Sequence, residues 1–508
     1  MEWILIVDFG SQYTQLIARK IREQKVYCRI QSCLEREIDN TADLKGIVLS
    51  GGPASVTDEN APTVPDYVFD MKVPVLGICY GLQASIVHFK GKVTKSLRRE
   101  YGATQLKIPS SNPLFDGVSD NSRVWMSHGD YVSRLPAGFQ SIGSSRSLKN
   151  AAVYSPKYQF YGIQFHPEVH HTEYGNTIIS NFLNAICGCK PSWTPGRFVN
   201  QMVDELRERL GDSKVICALS GGVDSAVCSL LLSKAIGRNT IAVFVDNGLL
   251  RKNEVDEVKS AFQKYPELDF RHIDASSLFL RRLKGVKDPE RKRKIIGRAF
   301  IQVFTEVAES EKVDFLAQGT LYPDLIESIS FKGPSALIKS HHNVGGLPKR
   351  MKLKVVEPLK ELFKDEVRKV GKKLGLPKQF LDRHPFPGPG LAVRIIGTVT
   401  QSRLELVREA DHIFMSELKK TREYNNIWQA FCVLLPIQSV GVMGDERTYE
   451  NTVALRAVTG VDGMTADWAR IPYDVIETVS SRITREVKGI NRVVYDISSK
   501  PPATIEWE

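Results

Sequence analysis

The sequence predicts an α/β protein: two doubly wound, mostly parallel-sheet domains followed by a smaller α+β domain. Three observations carry this expectation. Short apolar runs such as Trp3-Ile-Leu-Ile-Val7 and Val215-Ile-Cys-Ala-Leu219 read as strands buried on both faces. Each run gives way to a turn of small or polar residues and then to apolar residues at helical spacing, the alternation of a wound parallel sheet. Beyond residue 383 that alternation stops, and longer helical and strand patterns mix.

The chain has 508 residues, more than one core supports, so domains are expected at 1–189, 190–382 and 383–508. Hydrophobic residues make up 42% and charged residues 25%, the composition of a globular protein in water. No apolar run is long enough to span a bilayer as a helix, and no basic n-region precedes the first strand. A cytoplasmic protein without a membrane partner is therefore expected. The net charge of +11 suits either nucleic acid or acidic nucleotide substrates. The eight cysteines show neither zinc-ligand spacing nor a C-x-x-C pair, so reduced thiols are expected.

In the first domain, strands are expected at Trp3–Val7, at Gly46–Leu49 running into Ser50-Gly-Gly-Pro53, and at Val73–Ile78. The third ends in Gly77-Ile-Cys79-Tyr-Gly81, where small residues flank a thiol on a tight strand-to-helix turn. A cysteine at a helix N-terminus is placed for acyl chemistry. Downstream, Tyr161–Phe165 opens into His166-Pro-Glu168. Alternate residues of an extended chain share a face, so His166 can serve as base while Glu168 orients it.

These pieces resemble class I glutamine amidotransferases over Val7 to about Ala185, on Ser50–Pro53, Gly77–Gln83 and Phe165–Glu168. The resemblance implies that Cys79 attacks the glutamine amide and His166 moves the proton. It places oxyanion donors at the backbone of Gly52 and Tyr80. It also puts Gln83 and Ser127-His128-Gly129-Asp130 against glutamine; by itself that tetrapeptide also reads as an ordinary polar turn.

After the breaker-rich linker Cys187–Gly196, a helix is expected from Phe198 to Leu210. The strand Val215–Leu219 then meets Ser220-Gly221-Gly222-Val223-Asp224-Ser225 and a helical run. Strand, Gly-rich turn and helix wrap backbone amides around an anion. No Gly-Lys-Ser/Thr follows, so this is not a Walker loop. It resembles the pyrophosphate loop of N-type ATP pyrophosphatases, which adenylate a substrate. Asp224 serves the loop or a metal; the residues leave both open. The next strand, Thr240–Val245, is placed to read the sugar or base at its tip. Arg281–Arg298 is dense in Lys and Arg, a solvated helix face, a nucleic-acid contact or a grip on a substrate phosphate.

Gln318–Ser328 and Ile338–Pro348 are similar to the pyrophosphatase domain of the GMP synthetase family. Val245 and Gly319 are assigned to ATP, and the second stretch, Gly-rich, basic and without a buried pattern, reads as a mobile lid with Lys339 reaching the ATP phosphates. The pair His341-His342 lacks a third ligand at zinc spacing. The Pro/Gly-rich run from His384 reads alone as linker, and the tail Ser499–Glu508, with two prolines, reads as frayed. The family resemblance instead assigns Arg293, His384, Pro385, Lys500 and Glu506 to XMP, the last domain to a homodimer, and Mg²⁺ to ATP; metal ligands stay unassigned. It implies XMP, ATP, glutamine and water giving GMP, AMP, pyrophosphate and glutamate, with ammonia attacking adenylated XMP. The residues alone support a Cys-His-Glu hydrolase fused to an anion-cradling domain. A different adenylating amidotransferase, such as an NAD synthetase, stays open on that basis. An RNA-binding protein is disfavoured for lack of an RNA-module signature, so no nucleic-acid partner is expected.

Overall fold

The computed structural model describes residues 2–11, 13–38, 41–321, 353–443, 446–460 and 465–508, without the side chains of 96–99 and 443. The described residues cluster as two compact units, one ending at residue 198 and one beginning at residue 199.

In the first unit the strands are β1 (Trp3–Asp8), β2 (Tyr27–Ser32), β3 (Leu44–Leu49), β4 (Val75–Ile78), β5 (Lys92–Leu106), β6 (Ser122–Arg134), β7 (Gln140–Gly143), β8 (Ala152–Ser155) and β9 (Phe160–Ile163). One seven-stranded sheet runs in the order β2-β1-β3-β4-β9-β8-β7. It is parallel from β2 to β9, and β8 and β7 add an antiparallel edge. Ile4, Leu5, Ile6 and Val7 are all buried, as a strand covered on both faces requires. Strands β5 and β6 form a separate antiparallel ribbon. The alternating burial along β6 keeps every second side chain inside.

The second unit contains β10 (Val215–Leu219), β11 (Thr240–Asp246), β12 (Asp269–Asp274), β13 (Phe315–Ala317) and β14 (Lys354–Val356), all parallel in the order β12-β11-β10-β13-β14. Helix Pro289–Glu311 has proline in its first turn, and the Asp288 carboxylate accepts from the Arg291 amide at 2.7 Å. Further on lie β15 (Gln429–Met443), β16 (Glu446–Thr459), β17 (Asp467–Trp468) and β18 (Ile490–Asp496). β15 and β17 pair antiparallel with β16, and β18 pairs parallel with it. Helix Gln401–Lys419 begins where Thr400 accepts from the Arg403 amide at 3.3 Å.

The change of pattern at residue 383 does not interrupt the apolar core. Val243 and Phe279 from the first part of this unit share a cluster with Leu404, Phe414, Cys432 and Leu455 from the second. The tail does not fray as its prolines suggested. The fully buried Arg456 donates to the carbonyls of Ser498, Thr504 and Ile505, so the segment is held by charge-assisted bonds.

Candidate active sites

Cys79 sits between β4 and helix Tyr80–His88 with φ 52° and ψ −103°. A non-glycine residue held at positive φ is strained, and surrounding contacts must impose it. Here the Cys79 amide donates to Ile163 O at 2.8 Å and the Gly81 amide to Ser50 O at 3.0 Å. Gly81 has no substitute: a Cβ there would lie 2.5 Å from Leu49 O. The turn thus holds the thiol at the helix N-terminus. The Tyr80 amide opens that helix and is one of the four without an intrahelical acceptor. Gly52 packs beside it, where a Cβ would meet Phe9 O at 3.0 Å and the Tyr80 ring at 3.2 Å.

His166 Nδ1 lies 2.7 Å from Glu168 Oε1, and both residues are buried. The His166 amide donates to Trp125 O at 3.0 Å, and the Thr172 hydroxyl donates to His166 O at 2.6 Å. Burial opposes charge on the ring, but the Glu168 carboxylate and the hydrogen bond with Cys79 outweigh it and push the His166 pKa up to about 11. The structure therefore brings Cys79, His166 and Glu168 together.

Ser127–Asp130 is not a turn. It lies inside β6, because the alternation of buried Val124, Met126, His128 and Asp130 is a strand period. The Cys79 thiol donates to Ser127 O at 3.7 Å. Asp130 accepts from the Ser55 hydroxyl through its carboxylate and from Gln83 Nε2 through its carbonyl, at 2.8 Å. Gly129 faces the other side, half-buried. Burial lowers the pKa of His128 against the opposing pull of Glu100, whose carboxylate stands 3.5 Å away. Gln164, which the sequence reading passed over, has Nε2 3.6 Å from Cys79 Sγ and accepts from Gln83 Nε2 at 3.2 Å. Its position two residues before His166 was the available signal.

In the second unit Gly221 adopts φ +78° and Gly222 caps helix Val223–Ile236. Ser225 stitches the loop: its hydroxyl accepts from the Ser220 amide at 3.1 Å and donates to Gly222 O at 3.2 Å. The Ser220 hydroxyl accepts from the Gly222 amide at 3.3 Å. Gly319 abuts the same turn; a Cβ would lie 3.2 Å from Ser225 N. Val223 and Val245 are both buried, and Val245 belongs to the apolar core. Asp224 is taken up by Lys364, whose Nζ reaches both carboxylate oxygens at 2.7 and 2.6 Å. Arg383 donates to Gly221 O at 3.2 Å. Neither cation had a motif to announce it. Lys339, His341 and His342 lie outside the described residues.

Of the residues expected at XMP, Lys500 and Glu506 lie in the docked tail and Arg293 contacts it. Arg293 donates to the Glu508 backbone oxygen. Glu506 accepts from Arg394 at 3.0 and 3.3 Å and from Gln429 at 2.6 Å. Lys292, fully buried, donates to Ala392 O, Ile395 O and the Glu508 carboxylate. Lys500 pairs through its backbone with Ala466 at 2.7 and 3.0 Å. His384 stacks on Tyr424 with ring centroids 4.2 Å apart, and burial lowers its pKa to about 4. Pro385 follows it, half-buried. Phe386 lies under the guanidinium groups of Arg251 and Arg394, 4.9 and 5.0 Å from its centroid.

Three family models match the chain: glutamine amidotransferase class-I over residues 5–186, a tRNA methyl transferase HUP domain over 213–271, and GMP synthase C terminal domain over 416–507. Full-length relatives include the GMP synthase (glutamine-hydrolyzing) of Chlorobium chlorochromatii, 57% identical over 516 residues and 100% of both chains. That of Chlorobium phaeobacteroides is 57% identical over 517 residues, again 100% of both. That of Oleidesulfovibrio alaskensis is 54% identical over 512 residues and 99% of each chain.

Proposed function

The chain belongs to the glutamine-hydrolysing GMP synthase family, and from that membership we propose how its parts divide the work. The enzyme makes GMP from XMP with glutamine as the amide donor. In our reading residues 1–189 are the glutaminase, 190–382 the adenylating segment and 383–508 the segment that completes the XMP site.

Cys79 attacks the glutamine side-chain carbonyl, and the oxyanion forms against the amides of Gly52 and Tyr80. His166, held by Glu168, hands its proton to the departing ammonia; water then releases glutamate. Gln83, Ser127, His128, Gly129 and Asp130 hold the glutamine. In the other unit, Ser220–Ser225 receives the β- and γ-phosphates while the C2 oxygen of XMP attacks the α-phosphorus. Pyrophosphate leaves, and ammonia then adds at C2 and expels AMP. Val245, Gly319 and Lys339 complete the ATP contacts; Arg293, His384, Pro385, Lys500 and Glu506 serve XMP.

Among the described residues no three His, Cys, Asp or Glu side chains gather to hold a metal. The one carboxylate of the loop would suit Mg²⁺ carried in by ATP, shared with Lys364, which engages both its oxygens. Asp224 is the loop's only carboxylate. When bound, the ion neutralises charge on the leaving pyrophosphate.

No described helix is long and apolar enough to cross a membrane, and we place the enzyme in the cytoplasm. Ile437, Val440, Val442 and Tyr449 on β15 and β16 are exposed apolar side chains, which supports a homodimer through this region.

The observation that carries this reading is the strained Cys79 turn beside the His166–Glu168 pair. Cys79→Ala should abolish glutamine-driven GMP formation and leave ammonium-driven formation intact. Loss of both activities together overturns the division of labour.

A further inference from the structure

Between the ATP loop and the docked tail the second unit contains a chain of charged residues, joined by ion contacts except at one link made through a backbone amide. It starts where Arg383 donates to Gly221 O at 3.2 Å. The Arg383 guanidinium lies 3.8 Å from the Glu254 carboxylate, which accepts from the Arg251 amide at 3.1 Å. Arg251 Nε stands 3.1 Å from Asp411 Oδ2, and Asp411 Oδ1 stands 3.8 Å from Arg394 NH1. Arg394 ends the run on Glu506 at 3.0 Å. Glu254, Asp411 and Arg394 are buried.

Buried charges like these often add little stability over apolar packing, which leaves room for a role other than stability. The joint at Asp411 is also slack. Arg251 Nε and Arg394 NH1 face its carboxylate as ions but make no hydrogen bond, although both atoms are buried. The Cys432 amide fixes Asp411 Oδ1 at 3.0 Å, Arg394 is held by Glu506 and Arg251 donates to Ala430 O at 3.2 Å, so the two arginines meet Asp411 through ion contacts alone. A small shift of either arginine would convert an ion contact into a charge-assisted hydrogen bond.

We propose that Asp411 is a positioning residue that couples the two nucleotide sites: filling the tail end draws Arg394 onto Asp411, and the gain is passed through Arg251, Glu254 and Arg383 to the main chain of the ATP loop. This rests on the reading of the two ends as ATP and XMP sites. Coupling of this kind is reciprocal, so each nucleotide tightens the other by the same factor.

The test is calorimetry on the full-length protein, with XMP titrated in the presence and absence of saturating α,β-methylene-ATP and Mg²⁺. In the unsubstituted protein the analogue should tighten XMP at least about five-fold. In Asp411→Asn that ratio should fall below about two, while the Kd of each nucleotide alone moves less than about three-fold. Arg251→Gln, at a partly exposed side chain, should do the same and serves if Asp411→Asn does not fold. Glu417→Gln, which breaks an ion pair with Arg482 away from the run, should keep the full ratio. A ratio of one without substitution, an unchanged ratio in both relay variants, or an equal loss in Glu417→Gln overturns the proposal. If the unsubstituted protein binds no XMP at all, it is the functional reading that fails.

Discussion

Around Cys79 the groups proposed for the chemistry are side chains, each buried and each bonded to a further buried group. Around Ser220–Ser225 the proposed donors are main-chain amides, with Ser220 exposed and Asp224 half-buried. The first arrangement suits a bond-making step, where one nucleophile and one proton carrier must be placed to within a fraction of an ångström. The second suits an anion with several equivalent oxygens, where many weak donors share the charge. A side-chain site fails abruptly when one group is changed, whereas a backbone site degrades by degrees.

The contrast is tested hardest at Glu168. Glu168→Gln keeps the size of the side chain but removes the charge that holds His166 protonated and oriented. Glutamine-driven turnover should fall by about ten-thousand-fold, with ammonium-driven turnover unchanged. The pair also predicts a stability profile. Because the folded pKa of His166 is raised to about 11, its contribution is complete below about pH 6.5 and is lost as pH rises from there to 11. Melting curves of the two proteins should converge across that window; parallel curves would mean that Glu168 does not hold the proton.

His384 gives the opposite slope in the other unit. Burial lowers its pKa to about 4, so the unfolded chain takes up a proton first as pH falls. Stability should drop between about pH 6.5 and 4, by up to about 3 kcal/mol relative to neutral pH. His384→Phe, which keeps the stack on Tyr424, should remove the slope. A slope that survives the substitution would assign it to other groups.

How much of this was legible in the sequence follows the same division. Cys79, His166, Glu168 and the Ser220–Ser225 loop sit in short local patterns, and local patterns can be read from one chain. The strands β1, β10 and β11 were legible for the same reason: apolar runs buried on both faces. Lys364, Arg394 and Asp411 were not, because each acts on a residue far along the chain; Lys364 meets Asp224 across 140 positions. The tail was misread alone because its own composition is that of a loose end, and what holds it is Arg456 on Thr504 and Lys292 on Glu508. The shared core of the second unit hid likewise, since the pattern changes at residue 383 while the packing does not.

The smallest effect is expected at Gly221, where the backbone site can be perturbed by one methyl. Its φ of +78° lies in the left-handed region, and a Cβ there would also approach Glu254 Oε1 at 3.1 Å. Forcing alanine into that conformation costs about 1–2 kcal/mol. Glu254 is a carboxylate on a helix and gives way only by pulling on Arg251 and Arg383. The loop's other amides are unchanged, so in the role proposed for the loop Gly221→Ala should weaken ATP about ten-fold, measured as the KM for ammonium-driven pyrophosphate release, and leave glutaminase chemistry at Cys79 untouched. A thousand-fold loss would show that the loop works through one indispensable contact, and the distinction between the two kinds of site would not hold.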